Sequence, residues 1–141
     1  MMKLNVDGRK MGMDGRAFVL RNPNGEILIA GVQQGERFLS SLVEEANACL
    51  KGLQVAKEYG YHSLVVEGDC LALIQKLQHQ VIDDNVLGFI VSDILHIAKT
   101  FSFISFIKRE GNKLAHDLAH WLPLSSEDRL WVNDVPNHIL S

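Results

Sequence analysis

The sequence lacks the excess of positive charge that marks many nucleic-acid-binding proteins. It has 14 basic and 17 acidic residues among 141, which gives a net charge of −3 at pH 7. A dedicated nucleic-acid binder usually carries a basic surface, because release of counterions from phosphates supplies much of its affinity. This balance therefore argues against tight, unaided binding to nucleic acid.

Cysteine is scarce, and long hydrophobic runs are missing. The two cysteines, Cys49 and Cys70, lie in apolar segments without metal-type spacing, which favours buried thiols in a reducing compartment. No apolar run approaches the roughly 20 residues that cross a membrane, and the first residues show no signal-peptide character. We therefore expect an intracellular protein of the cytoplasm or nucleus that has no membrane partner.

The sequence does contain enough apolar material for one domain. Hydrophobic residues make up 47% of the chain, and no repeat, low-complexity stretch or linker divides it. We expect one domain over residues 1–124 and a polar tail over residues 125–141 that carries Trp131.

Apolar runs and turn signals predict strands first, and then helices and strands in alternation. Three strands are expected at residues 3–7, 16–21 and 26–32, the last two joined by a Pro-Asn-Gly turn. A helix follows over residues 38–59, with Ser40 or Ser41 at its start and Gly60 as its stop. The remaining elements are a strand at 62–68, a helix from 70, a helix at 86–99, a strand at 101–107 and a helix at 112–122.

This order predicts an α/β fold with a mixed sheet. Parallel neighbours need helical crossovers, whereas antiparallel neighbours can follow each other directly. We therefore expect five strands, three in an antiparallel meander and two added in parallel, flanked by helices. In such a sheet Asp7 and Asp69, each at the carboxyl end of a strand, would be neighbours.

Three acidic residues occupy positions where a carboxylate is costly to desolvate. Asp7 and Asp69 end strands, and Glu45 lies on the flank of the apolar face of the first helix, whereas Glu44 is expected to point into solvent. Burial of such groups is unfavourable unless a positive charge lies among them. Mg²⁺ prefers oxygen ligands, so the three residues are predicted to form a metal site.

Each of the three residues also has a purely structural interpretation. Asp7 precedes Gly8, and an Asp-Gly pair often forms a turn. Asp69 could cap the helix that begins at Cys70, a role compatible with metal binding. Glu45 could be a solvated residue at the boundary of the helix face.

Four short sequence motifs follow one another along the chain and together span roughly residues 3 to 122. They are Asn5 to Gly8, Glu45 to Leu53, Val66 to Cys70, and Arg109 to Ala119. Together they resemble the ribonuclease H family in its plant, reverse-transcriptase-like branch. The resemblance implies a five-stranded ribonuclease H-like fold in which Asp7, Glu45 and Asp69 are catalytic metal ligands. The fourth position of the family motif, generally aspartate, is His116 in this sequence, with Asp117 one residue later.

The fourth ligand therefore stays open between two residues. A histidine nitrogen can bind a metal, but Mg²⁺ prefers oxygen, so Mn²⁺ would tolerate His116 better. The helical pattern places Asp117 on the flank of the apolar face and His116 further round, and does not decide between them. The histidine that the family often carries on a loop before this helix has no clear counterpart.

Two functions are compatible with the sequence. The resemblance implies an endonuclease that cleaves the RNA strand of an RNA–DNA hybrid with two Mg²⁺ or Mn²⁺ ions, with Asp7, Glu45, Asp69 and His116 as catalytic and metal-binding residues. The alternative is a catalytically weak or inactive module, derived from a retroelement, that binds nucleic acid or a protein partner. The three carboxylates favour the enzyme, whereas the acidic balance and His116 favour the module. In either case we expect weak binding of the nucleic-acid partner.

Overall fold

A computed structural model of the chain describes residues 1–9, 15–34, 40–109 and 129–133. The strands in this range are β1 (Met2–Arg9), β2 (Gly15–Arg21), β3 (Ile27–Gln34), β4 (Ser63–Gly68), β5 (Phe103–Lys108) and β6 (Arg129–Val132). The helices are α1 (Ser41–Glu58), α2 (Leu71–His79) and α3 (Val86–Ala98). The predicted helix at 112–122, with His116 and Asp117, lies outside the described residues. Within the described ranges, none of the helices has the length and apolar character needed to cross a membrane.

The strands form one mixed sheet in the order β5-β4-β1-β2-β3-β6. β1, β2 and β3 make the antiparallel meander, β4 joins β1 in parallel, and β5 joins β4 in parallel. The predicted α/β class, the meander and the two parallel strands are therefore confirmed.

The predicted number of five strands is wrong, because β6 adds a sixth. Residues Arg129–Val132 fall in the segment assigned to a polar tail, yet they pair antiparallel with β3. Without β6, the outer edge of β3 would carry unpaired backbone groups. The local sequence of four residues does not show that they will pair with this edge. The domain boundary at residue 124 stays a prediction.

Helix α1 begins and ends where local signals place it. The Ser40 hydroxyl accepts a hydrogen bond from the backbone nitrogen of Val43 at 3.1 Å, so Ser40 is the N-cap. At the other end Gly60 adopts a φ of +87°, in the left-handed region that glycine reaches without strain. The predicted cap and stop of this helix are both confirmed.

Two glycines allow α1 to lie close against β1. A Cβ atom at Gly52 would lie 2.9 Å from the methyl carbons of Leu4, and a Cβ at Gly8 would collide with the backbone nitrogen of Glu45. β1 continues through Gly8 to Arg9. The Asp7-Gly8 pair is therefore not a turn, and Gly8 instead gives the room that brings α1 next to Asp7.

The two faces of β1 differ in chemistry. Leu4 and Val6 are fully buried and belong to the hydrophobic core, together with Leu53 of α1. Successive side chains of a strand point to opposite faces, so Asn5 and Asp7 share the other face, where both are also buried. Polar groups thus occupy buried positions on the face that does not pack against α1.

Candidate metal centre

Three carboxylates from separate elements meet at the carboxyl end of β1. Asp7 belongs to β1, Glu45 to α1, and Asp69 directly follows β4. One carboxylate oxygen from each lies within 4.8 Å of the others. The structure therefore brings together three of the four predicted site residues, and the fourth, His116, lies outside the described ranges.

The sheet register explains this convergence. β1 and β4 are parallel, and Val6 is paired with Gly68. Asp7 follows Val6 and Asp69 follows Gly68, so the two carboxylates lie at the same end of the paired strands. Glu45 comes close to these two carboxylates from α1, because Gly8 has no side chain and lets α1 approach the backbone of β1.

The cluster is buried on one side and open on the other. Asp7 is 5% exposed and Glu45 is 2% exposed, whereas Asp69 is exposed to solvent. The backbone nitrogen of Cys70 donates a hydrogen bond to Glu45 Oε2 at 3.2 Å. Cys70 is the N-cap residue of α2 and makes no side-chain cap, so the alternative role of Asp69 as N-cap is wrong. A ligand would reach the cluster from the side of Asp69.

Glu45 carries a strongly perturbed carboxyl group. Its pKa rises from 4.5 to about 9, first because burial disfavours the charged form, and then through a hydrogen bond with Asp69 and the negative charges of Asp69 and Asp7. The Cys70 amide opposes this shift only partly. Without a cation, Glu45 therefore keeps its proton at neutral pH.

This donor set fits a hard divalent cation. Three carboxylates from three elements offer only oxygen atoms, which Mg²⁺ prefers and Mn²⁺ accepts. A cation among them would stabilise the charged form of Glu45, which burial and the two neighbouring aspartates otherwise disfavour. The role of the three residues as metal ligands stays a prediction that this chemistry supports.

The position of Glu44 contradicts the prediction from the helical pattern. The pattern predicts that Glu44 points into solvent, whereas its side chain is fully buried. The helical pattern assumes one packing surface, whereas α1 packs against β1, β2 and α3. Burial on several sides of one helix cannot be derived from its own periodicity.

A second polar cluster, centred on the buried Asn5 and Glu67 and completed by two partly exposed arginines, is not predicted from the sequence. We call it the Glu67 cluster: it consists of Glu67 on β4, Asn5 on β1, Arg21 on β2 and Arg109 after β5. Asn5 and Glu67 lie two residues before Asp7 and Asp69, which is the spacing that places side chains on one face of a strand. That shared spacing was the signal available in the sequence.

Comparison with known families identifies the chain. The model of the family described as reverse transcriptase-like matches residues 5–122, most of the sequence. The chain belongs to the reverse transcriptase-like family. The predicted resemblance is confirmed at this level, while the plant branch stays a prediction. A comparison with curated protein sequences found no match.

Solved structures with the same fold include ribonucleases H. RNase H1 from the halophilic archaeon Halobacterium salinarum NRC-1 is 20% identical, with a TM-score of 0.79 over 89% of this chain and 98% of that chain. The N-terminal RNase H domain of a Mycobacterium tuberculosis protein is also 20% identical, with a TM-score of 0.77 over 84% and 95%. LC11-RNase H1 in complex with an RNA/DNA hybrid is 18% identical, with a TM-score of 0.77 over 85% and 94%. The ribonuclease H-like fold of this family member is therefore confirmed.

Proposed function

We propose that the protein is a metal-dependent endonuclease that hydrolyses the RNA strand of RNA–DNA hybrids. The observation that carries this proposal is the convergence of Asp7, Glu45 and Asp69 within 4.8 Å on a ribonuclease H-like fold. A similar structure holds an RNA/DNA hybrid, which supports the same substrate class for this chain.

The chain's own residues would hold the cations and orient the phosphate. Asp7, Glu45 and Asp69 would hold two divalent cations, and His116 would be the fourth ligand. When bound, the cations supply the charge that activates a water and stabilises the leaving oxygen. Glu45 must release its proton before it can act as an anionic ligand.

Substrate recognition would depend on the cations and on the shape of the nucleic-acid duplex. Ribonucleotide strands are distinguished by their 2′-hydroxyl groups in a shallow minor groove rather than by base edges. A net charge of −3 gives little general attraction for phosphates, so we expect weak hybrid binding without divalent cations. An intracellular location in the cytoplasm or nucleus is part of the same proposal.

A cleavage assay tests this function directly. We expect the wild-type protein to cut a hybrid with a labelled RNA strand in Mg²⁺ or Mn²⁺, and to leave the same DNA duplex intact. Asp7→Asn should abolish cleavage, whereas Asp93→Asn, on the exposed side of α3, should leave it unchanged. A folded protein that binds the hybrid but cuts it with neither metal would instead support the non-catalytic module.

A further inference from the structure

Glu67 is fully buried, and its carboxylate joins three strands and the residue that follows β5. Asn5 Nδ2 donates a hydrogen bond to Glu67 Oε1 at 2.9 Å, and an Arg109 guanidinium nitrogen donates to Glu67 Oε2 at 3.0 Å. Arg21 donates from Nε to Asn5 Oδ1 at 2.8 Å and lies 3.6 Å from Glu67 Oε1. One carboxylate thus contacts groups from β1, β2 and the end of β5.

Stability alone does not account for such a group. Removing a carboxylate from water is costly, and buried ion pairs can often be replaced by apolar side chains of similar size without loss of stability. A buried hydrogen-bonded charge does, however, disfavour alternative pairings, because a shifted strand would leave it unsatisfied. The Glu67 cluster is therefore suited to fixing the position of its strands.

The strands fixed in this way are those that carry the metal site. Asn5 and Glu67 are directly paired between β1 and β4, and Asp7 and Asp69 follow each of them by two residues. Two residues of a strand span about 7 Å. The backbone nitrogen of Arg109 also donates to the carbonyl oxygen of Gly68 at 2.9 Å, directly before Asp69.

We propose that Glu67 is a positioning residue for the metal site. Its bonds to Asn5 and Arg109 fix β1, β4 and the end of β5 relative to each other, and so hold Asp7 and Asp69 at the separation that a divalent cation requires. Glu67 itself does not bind the cation. This role rests on the proposed function, since it concerns the same site.

The test compares cation affinity with stability in matched variants. We expect Glu67→Gln to weaken Mn²⁺ binding about 10-fold, the smaller end of the effect of residues that orient ligands, with a lower kcat and an unchanged KM for the hybrid. Glu58→Gln, a substitution at an exposed position of α1, is the control and should change neither Mn²⁺ affinity nor kcat. The apolar pair Asn5→Val with Glu67→Leu should fold and still bind Mn²⁺ weakly. Wild-type Mn²⁺ affinity in that folded apolar pair would overturn the inference.

A charge exchange gives the rescue that a merely structural role does not predict. Asn5→Asp combined with Glu67→Gln keeps the total charge and allows the amide to donate from β4 to β1, where Arg21 can still donate to residue 5. We expect this pair to recover most of the Mn²⁺ affinity lost in Glu67→Gln. If the double variant folds but does not recover Mn²⁺ affinity, the positioning role of Glu67 is overturned.

Failure of the two proposals is distinguishable in this design. A wild-type protein that binds Mn²⁺ but cuts no hybrid contradicts the proposed function, while the Mn²⁺ affinities of the variants still decide the role of Glu67. A wild-type protein that binds no Mn²⁺ contradicts both.

Discussion

Glu45 and Glu67 are both buried glutamates, and they have opposite surroundings. Burial removes the Glu45 carboxyl from water, and Asp7 and Asp69 lie against it, so that these effects together raise its pKa to about 9. Glu67 lies against Asn5 and Arg109, which donate hydrogen bonds to its two oxygens. A buried carboxylate among donors is already compensated, whereas one among carboxylates needs a proton or a cation. Burial alone therefore does not mark a functional acid; its neighbours do.

The largest expected effect comes from replacing each of the two glutamates by glutamine, because the two substitutions should change the free energy of unfolding differently. Glu45→Gln should reduce Mn²⁺ affinity and hybrid cleavage by at least about 100-fold, because the loss of a direct ligand should exceed the loss of a residue that orients one, while leaving the free energy of unfolding unchanged or higher at pH 8. Glu67→Gln should lower that free energy by about 1.5–3 kcal/mol, because hydrogen bonds to a charged group are lost. Urea unfolding and Mn²⁺ titration of both variants provide the measurement.

Destabilisation by Glu45→Gln as large as by Glu67→Gln would remove the contrast between the two sites. Glu58→Gln on the exposed side of α1 serves as the control for the substitution itself.

A second change disturbs Glu45 without altering a charge. Gly8→Ala places a methyl group against the backbone nitrogen of Glu45 and must displace α1 from β1. We expect a loss of about 1–3 kcal/mol in the free energy of unfolding from overpacking, together with weaker Mn²⁺ binding. Ala72→Val, which adds volume at an exposed position of α2, should have little effect on either quantity. Unchanged Mn²⁺ affinity in Gly8→Ala would show that α1 need not lie so close.

The stability of the cation-free protein should depend on pH through Glu45. Its folded pKa of about 9 lies above the ordinary value of 4.5, so the folded state binds the proton more tightly than the unfolded state. The contribution of this group is then complete below pH 4.5 and is lost as pH rises towards 9, at up to about 1.4 kcal/mol per pH unit. The difference in unfolding free energy between wild type and Glu45→Gln, measured from pH 5 to 9 in a chelator, isolates the effect. A difference that does not vary with pH would contradict the protonated Glu45.

The smallest expected effect concerns the fourth ligand. If His116 completes the site, His116→Asp should raise cleavage in Mg²⁺ by about 10-fold or less, because it adds an oxygen ligand. Wild type should then prefer Mn²⁺ to Mg²⁺, and Asp117→Asn should change little. An inactive Asp117→Asn with an unaffected His116→Asp would assign the ligand to Asp117 instead. Cleavage rates of the three proteins in each metal distinguish these results.

Local signals predicted much of the fold. The cap and the stop of α1 depend on residues within one turn of the helix, and the sequence predicts the stop at Gly60 and narrows the cap to Ser40 or Ser41. The meeting of Asp7 with Asp69 followed from strand order, since parallel strands present their carboxyl ends at one edge.

What escaped prediction depends on contacts between distant segments. Glu44 is buried on a helix that packs against elements distant in the sequence, and β6 requires the free edge of β3. The Glu67 cluster joins Asn5, Arg21 and Arg109 from separate parts of the chain. No local pattern records which side chain a strand will meet across a sheet.

Gly8 bears on how relatives of this chain diverge. Because a single added carbon meets the backbone of α1, a lineage could keep all three acidic residues and still lose the site by one substitution beside the first of them. Such a chain would keep every acidic residue of the cluster but not their convergence. Gly8 therefore indicates whether the three carboxylates can converge, which the acidic residues alone do not.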